Sequence, residues 1–389
     1  MRDHLMNTYA RMPVAFVRGE GAWLWDEEGH RVLDAISGLG VTALGHAHPR
    51  VTAAISEQAG RLIHTSNLAR IPAQEVLGDR LAEITGLERA FIANSGTEAI
   101  ECAIKIARLA GHQRKYRNPS IVVMENSFHG RTLAALSATG SRKAQAGFEP
   151  LVSGFIRVPF NDLEAVRALT RGQHEITAVL VEPIQGEAGI RIPDAGFLSG
   201  LRSLCDEQQW LLMADEIQCG LCRTGNWYAY QHEDAMPDVL TTAKALANGF
   251  PIGACVAGGG AAELLAPGQH GSTFGGNPLA CFTASTVLDV MQEQALPKQA
   301  AATGATMLSA FRERLGNLGC VQEIRGRGLM LGIELDRDVN HLKHEALAQG
   351  VLINVTRNNV IRLLPPLIID QAQAEEIVST VCNLVEQLD

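Results

Sequence analysis

The alternation of short apolar runs with helix-period segments limits the folds open to this chain more than any other feature. It extends from about residue 51 to residue 270. Runs this short and this apolar are typical of strands buried on both faces, as in a parallel sheet. Representative runs are Arg89-Ala90-Phe91-Ile92-Ala93, Ile121-Val122-Val123-Met124, Ala178-Val179-Leu180-Val181 and Leu211-Leu212-Met213-Ala214. The pattern predicts an α/β domain with a mostly parallel sheet.

The pattern changes at both ends of this region. Residues 22–34 contain two strand-like runs around a turn, which is a hairpin signal. After about residue 280, helical segments alternate with several short strand candidates. We therefore expect an N-terminal segment (1–50) that contributes to a small domain, a large α/β domain (51–275) and a C-terminal small α+β domain (276–389).

Charge and hydropathy exclude two classes of partner. The formal net charge is −9 with acidic and basic residues interspersed, so no basic stripe is available for a nucleic-acid backbone. No apolar run reaches the ~20 residues that cross a bilayer, and Met1-Arg2-Asp3-His4 lacks the apolar segment of a secretory signal. The eight scattered cysteines suit a reducing compartment. We expect a cytoplasmic protein that binds neither nucleic acid nor membrane.

Polar residues that follow the strand candidates mark the place where ligands bind in open α/β sheets. The segment from Asn94 to Glu98 follows a strand candidate and opens a helix, so its amides, hydroxyls and glycine could cradle a phosphate. The alternative is an ordinary helix N-cap formed by Ser95 or Thr97. This segment does not decide between the two readings by itself.

Two further strand-end residues carry possible chemistry. Asp215 could hold a proton on a pyridine nitrogen. A carboxylate that binds a metal, or one that is merely solvated at a strand end, would show the same sequence pattern. Lys244 lies among small and apolar residues, where burial would lower its pKa and favour a nucleophilic amine, although a lone lysine is more often a surface residue. The glycine-rich loop 271–278 could donate hydroxyls to a phosphate or be merely structural.

Taken together and in this order, these segments resemble the fold-type I, class III aminotransferases, and within them the acetylornithine and ornithine aminotransferases. The resemblance covers nearly the whole chain and rests on eight motifs, each unspecific but specific as a set. They are Gly45-His46-Ala47-His48-Pro49, Asn94-Ser95-Gly96-Thr97-Glu98-Ala99, Ser127-Phe128-His129-Gly130-Arg131-Thr132, Val181-Glu182-Pro183-Ile184-Gln185-Gly186-Glu187, Asp215-Glu216-Ile217-Gln218, Arg223-Thr224-Gly225, Ala243-Lys244-Ala245-Leu246 and His270-Gly271-Ser272-Thr273-Phe274-Gly275-Gly276-Asn277-Pro278.

The resemblance implies pyridoxal 5′-phosphate as cofactor and assigns roles to single residues. Lys244 would form the Schiff base and shuttle the proton, and Asp215 would face the pyridine nitrogen. Thr273 would reach the phosphate bound in a neighbouring subunit, which implies a homodimer with shared sites. The other cofactor contacts would be Ser95, Gly96 and Thr97 at the phosphate, Phe128 on the ring and Gln218 at the phenolic oxygen.

Substrate recognition requires two cationic clamps, because glutamate carries two carboxylates and an ω-amino donor carries one. By the resemblance, Arg131 would bind the α-carboxylate of the donor or the distal carboxylate of glutamate, and Arg362 the α-carboxylate of glutamate. Glu187 would pair with Arg362 when that carboxylate is absent. Ser272 and, at the substrate entry, Tyr9 are further candidates.

The resemblance implies N2-acetylornithine:2-oxoglutarate 5-aminotransferase activity in arginine biosynthesis, with succinyl-diaminopimelate as a further donor. The alternatives are ornithine, succinylornithine or 4-aminobutyrate transamination, and an intramolecular aminomutase that uses the same lysine. A more distant alternative is a cofactor-binding protein or oxidoreductase without Schiff-base chemistry. Cys219 and Cys222 form a CxxC, but no second pair follows at zinc-site spacing, so we expect no metal.

Overall fold

The computed structural model describes residues 4–389, so the first three residues of the N-terminal stretch considered above lie outside the described part. Its strands are β1 (Phe16–Glu20), β2 (Trp23–Asp26), β3 (Arg31–Asp34), β4 (Arg89–Ala93), β5 (Ser120–Met124), β6 (Phe155–Val158), β7 (Ile176–Val181), β8 (Leu211–Asp215), β9 (Val239–Thr242), β10 (Gly253–Ala257), β11 (Val321–Arg327), β12 (Met330–Leu335), β13 (Val351–Leu352), β14 (Asn354–Thr356) and β15 (Val360–Leu363).

Helices alternate with the central strands and then dominate the C-terminal part. They are α1 (Ser37–Gly40), α2 (Pro49–Arg61), α3 (Pro72–Thr85), α4 (Gly96–Gln113), α5 (Leu133–Ala138), α6 (Arg142–Gln145), α7 (Leu163–Ala168), α8 (Phe197–Gln208), α9 (Gly259–Ala262), α10 (Pro278–Glu293), α11 (Leu296–Leu315), α12 (Leu342–Ala348) and α13 (Gln371–Glu386). Three short 3-10 helices cover Leu169–Arg171, Ala229–His232 and Lys244–Ala247.

The central sheet confirms the α/β prediction. Its strand order is β4-β10-β9-β8-β7-β5-β6, and every pairing from β9 to β6 is parallel. The exception is β10, which runs antiparallel to both of its neighbours. All residues of β7, β9 and β10 are buried, which explains why their sequences are apolar runs without alternation. The carboxyl ends of the parallel strands therefore meet at one edge of the sheet.

Helices pack on both faces of this sheet and bury its central strands, while the edge strands β4 and β6 stay partly exposed. The α4 helix buries a stripe of alanine and isoleucine side chains, including Ala103, Ile104 and Ala107, against one face. The α8 helix buries Leu201 and Leu204 against the other. The sheet is thus a rigid base that holds its loop residues in fixed positions.

Two smaller sheets lie outside the central one. The hairpin predicted at residues 22–34 is formed by β2 and β3, and it continues into β1 on one side and β13 on the other. The parallel pairing of Leu33 with Val351 joins the N-terminal segment to the C-terminal part of the chain. The second sheet has the order β11-β12-β15-β14. The exact domain boundaries stay a prediction.

Within residues 4–389, no helix has the combination of length and apolar character needed to cross a membrane.

Candidate active site

A cavity of about 350 Å³ opens at the carboxyl edge of the central sheet. The loops after β4, β5, β7, β8 and β9 all contribute to its wall, as expected for a ligand site in an open α/β fold. The predicted site residues that line it are Ser95, Gly96, Thr97, Phe128, Arg131, Glu187, Asp215, Gln218 and Lys244. Segments far apart in the sequence are thus brought together in the way the strand-end argument requires.

Lys244 begins a 3-10 helix directly after β9, and its backbone is in the left-handed region with φ 46°. Such a conformation costs about 1–3 kcal/mol for a residue with a side chain, and it places this side chain in the cavity wall. Desolvation lowers the pKa of the Lys244 ammonium. The carboxylate of Glu187 opposes this shift, while Arg362 adds to it. A lowered pKa increases the fraction of neutral amine that can attack a carbonyl.

Asp215 ends β8 and is almost completely buried. Its Oδ2 lies 2.7 Å from Nδ1 of His129, and its Oδ1 accepts a hydrogen bond from the amide of Ile217 at 3.2 Å. The hydroxyl of Thr241 also donates to Oδ1, at 3.4 Å. The carboxylate is therefore held in one orientation at the cavity floor. Nε2 of His129 is buried and has no hydrogen-bond partner among the described residues.

Glu182 follows β7 and is a buried acid in the cavity wall. Its Oε2 accepts a hydrogen bond from the amide of Phe128 at 3.0 Å, which fixes the backbone that carries the Phe128 ring. Desolvation, together with the nearby charge of Asp215, raises the pKa of Glu182 well above its usual value. The raised pKa favours the neutral form of Glu182.

The start of α4 has the properties of a phosphate cradle. The side chain of Ser95 caps the helix by accepting from the amide of Glu98 at 3.3 Å. The amides of Gly96 and Thr97 lie in the first turn, where no intrahelical acceptor exists, so they are available to an anion. A Cβ on Gly96 would stand 2.7 Å from Ile217, and one on Gly130 would stand 2.3 Å from Oγ1 of Thr97. A side chain at Gly130 would therefore displace Thr97, and one at Gly96 would have to displace the Ile217 side chain.

These groups fit a phosphorylated pyridine ring. The cavity offers an anion site at the α4 N-terminus, an aromatic face from Phe128, a buried carboxylate from Asp215 and an amine from Lys244. The four features are the ones that a planar, anionic aldehyde with a basic ring nitrogen requires.

Two arginines lie at the cavity in different states. Arg131 is exposed, its guanidinium lies 5.1 Å from the centre of the Phe128 ring, and no carboxylate pairs with it in the described part of the chain. Arg362 is buried behind the wall, and its Nη1 donates to Oε1 of Glu187 at 2.6 Å. Burial alone would raise the pKa of Glu187, but the charge and the hydrogen bond of Arg362 outweigh it and the pKa is lowered. One cation is thus open to a substrate and the other is masked.

Besides Arg362, which lies behind the wall, three predicted site residues do not line this cavity. Ser272 accepts hydrogen bonds from the side chain of Asn94 and from the amide of Gly275. Thr273 is exposed beside it, and Tyr9 is exposed near the start of the described chain with Arg11 over its ring at 5.7 Å. Their roles stay predictions.

His129 and Glu182 both lie in motifs of the family resemblance, but the sequence did not indicate a role for either residue. A buried histidine that bonds a strand-end aspartate is not visible in a sequence, because residues 129 and 215 meet only in the folded sheet.

Cys219 and Cys222 are both buried and free, and Cys219 donates to Oε2 of Glu216 at 3.1 Å. Desolvation raises the pKa of Cys219, so the thiol stays protonated.

Comparisons with known proteins agree with this geometry. The model of the class-III aminotransferase family matches residues 5–385. The acetylornithine aminotransferase of Nitrosomonas europaea is 54% identical over 383 residues, which cover 98% of both chains. The ornithine aminotransferase from Toxoplasma gondii ME49 has a TM-score of 0.95 at 35% identity, over 99% of this chain and 94% of that one. The acetylornithine aminotransferase from Elizabethkingia anophelis has a TM-score of 0.88 at 34% identity, over 99% and 96%.

Proposed function

This chain belongs to the class III aminotransferases, and we propose that it transfers the terminal amino group of N2-acetylornithine to 2-oxoglutarate, as in arginine biosynthesis. The relatives named acetylornithine aminotransferase are similar over almost their full length, which supports this donor. The fold is that of a fold-type I transferase, and the enzyme depends on pyridoxal phosphate, as its family does.

The observation that carries amino transfer between a monocarboxylate donor and glutamate is the contrast between Arg131 and Arg362, whereas the choice of N2-acetylornithine as donor rests on the relatives. With Glu187 bonded to Arg362 at 2.6 Å, only Arg131 is free to bind a carboxylate, so the site accepts a donor with one carboxylate and an apolar or neutral far end. When glutamate enters, its α-carboxylate displaces Glu187 and pairs with Arg362. The same site then binds two substrates of different charge in turn.

We assign the cofactor to the groups that fit it. The Gly96 and Thr97 amides, with Ser95, would hold the phosphate, and Phe128 would pack on the ring. Asp215, held by His129, would keep the ring nitrogen protonated. When bound, pyridoxal phosphate supplies the electron sink that stabilises negative charge on the substrate carbon next to nitrogen.

Lys244 is the residue to which we assign proton transfer. Its amine has a lowered pKa, so it is available as a base that takes the proton from the substrate carbon, and as an acid it would then deliver that proton to the C4′ carbon of the cofactor. Glu187 and Arg362, which shift that pKa in opposite directions, lie close enough to couple substrate charge to the state of the lysine. Gln218, beside Glu187 in the wall, would contact the phenolic oxygen of the cofactor.

We further propose a homodimer with shared active sites, in the cytoplasm. Thr273 and Phe274 are exposed, and so are Ile63 and Leu68 in the segment beside them. Exposed apolar side chains of this kind support a contact with a second subunit. The His64 and Phe274 rings, 5.5 Å apart, join these two segments into one surface. The eight buried free cysteines fit a reducing compartment. Sedimentation of the purified enzyme at micromolar concentration should give a dimer, and a monomer would contradict the shared site.

A panel of amino donors with 2-oxoglutarate as acceptor tests the proposed substrate. The donors are N2-acetylornithine, N2-succinylornithine, ornithine, succinyl-diaminopimelate and 4-aminobutyrate, and glutamate formation is measured for each. We expect the highest kcat/KM with N2-acetylornithine. A higher value with free ornithine or 4-aminobutyrate would overturn the proposed donor, and turnover without any acceptor would indicate an aminomutase instead.

A further inference from the structure

Arg362 is held by a second residue that sequence motifs did not indicate. Its Nε and Nη2 both donate to Oδ1 of Asn354, at 3.0 and 2.8 Å. Asn354 is the direct cross-strand partner of Arg362 in the antiparallel pair of β14 and β15, so the two side chains lie on the same face of the sheet. The partner of Arg362 on the other side is Gly332, which has no side chain. Of the two strands that flank β15, only β14 therefore offers Arg362 a side-chain partner at its own register position, which is Asn354. Its other side-chain partners, Glu187 and Gln218, both accept from Nη1.

The same strand also holds the other member of the ion pair. Thr356 lies two residues after Asn354 and so points to the same face of β14. Its hydroxyl donates to the main-chain carbonyl of Glu187 at 2.8 Å. One three-residue strand thus fixes the guanidinium of Arg362 from the side and the backbone of Glu187 from behind.

We propose that β14 determines the dual-substrate specificity of this enzyme, with Asn354 as the positioning residue of Arg362 and Thr356 as the anchor of Glu187. Because Asn354 occupies Nε and Nη2, only Nη1 and the outer edge of the guanidinium are left for a carboxylate. Because Thr356 holds the main chain of Glu187, exchange between the two states is confined to the Glu187 side chain. This inference rests on the proposed function, since it assumes that glutamate replaces Glu187 at Arg362.

The absence of charge on the Asn354 side chain matters for the binding of glutamate at Arg362. An amide oxygen accepts two hydrogen bonds from the guanidinium without cancelling its charge. A carboxylate at this position would keep the geometry, but it would neutralise Arg362 and compete with the α-carboxylate of glutamate. The structure therefore predicts different behaviour for two substitutions of the same residue.

The test uses the holoenzyme and measures the two half-reactions separately, by the absorbance change of the bound cofactor after mixing with glutamate or with N2-acetylornithine. The variants are Asn354→Ala, Asn354→Asp and Thr356→Val. The matched control is Asn359→Ala, which lies between β14 and β15 but donates to the backbone of Leu335 rather than to the arginine. Because each readout is a ratio within one preparation, a loss of folded protein does not affect it.

We expect Asn354→Ala to lower kcat/KM for glutamate roughly 10–100-fold, the value of losing two hydrogen bonds to a charged group, with the N2-acetylornithine half-reaction changed much less. Asn354→Asp is nearly isosteric, so it should fold even if Asn354→Ala does not. It should lower kcat/KM for glutamate at least as much, through a higher KM. Thr356→Val should shift the preference the other way, because a loosened Glu187 masks Arg362 less well. Asn359→Ala should leave the ratio unchanged.

Equal losses in both half-reactions for Asn354→Ala, or wild-type glutamate kinetics in Asn354→Asp, would overturn the inference. These outcomes differ from failure of the proposed function, which would show in the wild-type enzyme. If wild type reacts with glutamate but not with N2-acetylornithine, the donor is wrong and the role of Asn354 can still be measured with glutamate and the true donor. If wild type does not react with glutamate at all, both proposals fall.

Discussion

Removal of the Glu187 charge is the perturbation whose effect the site geometry determines best. In Glu187→Gln the side chain keeps its size but no longer forms an ion pair with Arg362, which it contacts at 2.6 Å. Glutamate then binds Arg362 without displacing an anion. The N2-acetylornithine half-reaction loses the counter-ion of a buried arginine. The variant should therefore prefer glutamate more strongly than the wild type does.

The size of this shift follows from the exposure of the pair. A hydrogen bond to a buried charged group contributes about 1.5–3 kcal/mol. The Arg362 side chain is 2% exposed but that of Glu187 is 38% exposed, so solvent screens the interaction. After this screening, the ion pair of Glu187 with Arg362 contributes about 1–2 kcal/mol. Its loss corresponds to a change of roughly 5–30-fold in the ratio of the two kcat/KM values.

The assay is single-turnover absorbance of the cofactor with each substrate, on wild type and Glu187→Gln. Glu323→Gln is a matched control, because Glu323 forms an ion pair of the same length, 2.6 Å, with the buried Arg325 on β11. The control should leave the ratio of half-reactions unchanged. If Glu187→Gln changes both half-reactions by the same factor, the masking of Arg362 by Glu187 is refuted.

Two further predictions concern the cradle and pH. Ser95→Ala should lower the free energy of unfolding by about 1 kcal/mol through the lost N-cap, and should weaken pyridoxal phosphate binding, measured by equilibrium dialysis; an unchanged affinity would remove Ser95 from the phosphate site. Burial raises the pKa of Glu216 to about 7, so the folded state binds its proton more tightly than the unfolded state does. Stability contributed by this group should fall as pH rises from about 5 to 7, by up to about 3 kcal/mol. Urea unfolding at both pH values should show a smaller fall in Glu216→Gln than in wild type, and equal falls would contradict the prediction.

The parts of the fold that depend on local patterns were predictable. The strands near 121–124, 178–181 and 211–214 are apolar because both of their faces are buried, and each of these segments shows that property in its own sequence. The strand near 89–93 lies at the edge of the sheet and is only partly buried, but its apolar run was still recognisable. The antiparallel direction of β10 was not predictable, because Gly253–Ala257 has the same buried composition as its parallel neighbours. Strand direction depends on connections rather than on composition.

The candidate site also has parts that could be predicted from the sequence and parts that could not. Asp215 and Lys244 could be marked as candidates because each lies at the end of a strand, and the family resemblance then gave them their roles. The ion pair of Glu187 with Arg362, also expected from the family resemblance, is present at 2.6 Å. The contacts of His129 with Asp215 and of Asn354 with Arg362 could not be found, because they depend on side-chain direction and strand register. No short motif encodes a register between two strands that are separated by a turn.

Trapping the lysine that binds the cofactor tests the central claim most directly. The purified holoenzyme is reduced with borohydride, digested, and its peptides are analysed by mass spectrometry for the pyridoxyl group. The account predicts a single labelled residue, Lys244, with loss of the holoenzyme absorbance band and of transamination, and it predicts no label in Lys244→Ala. A label on another lysine, no label at all, or substantial turnover by Lys244→Ala would contradict it.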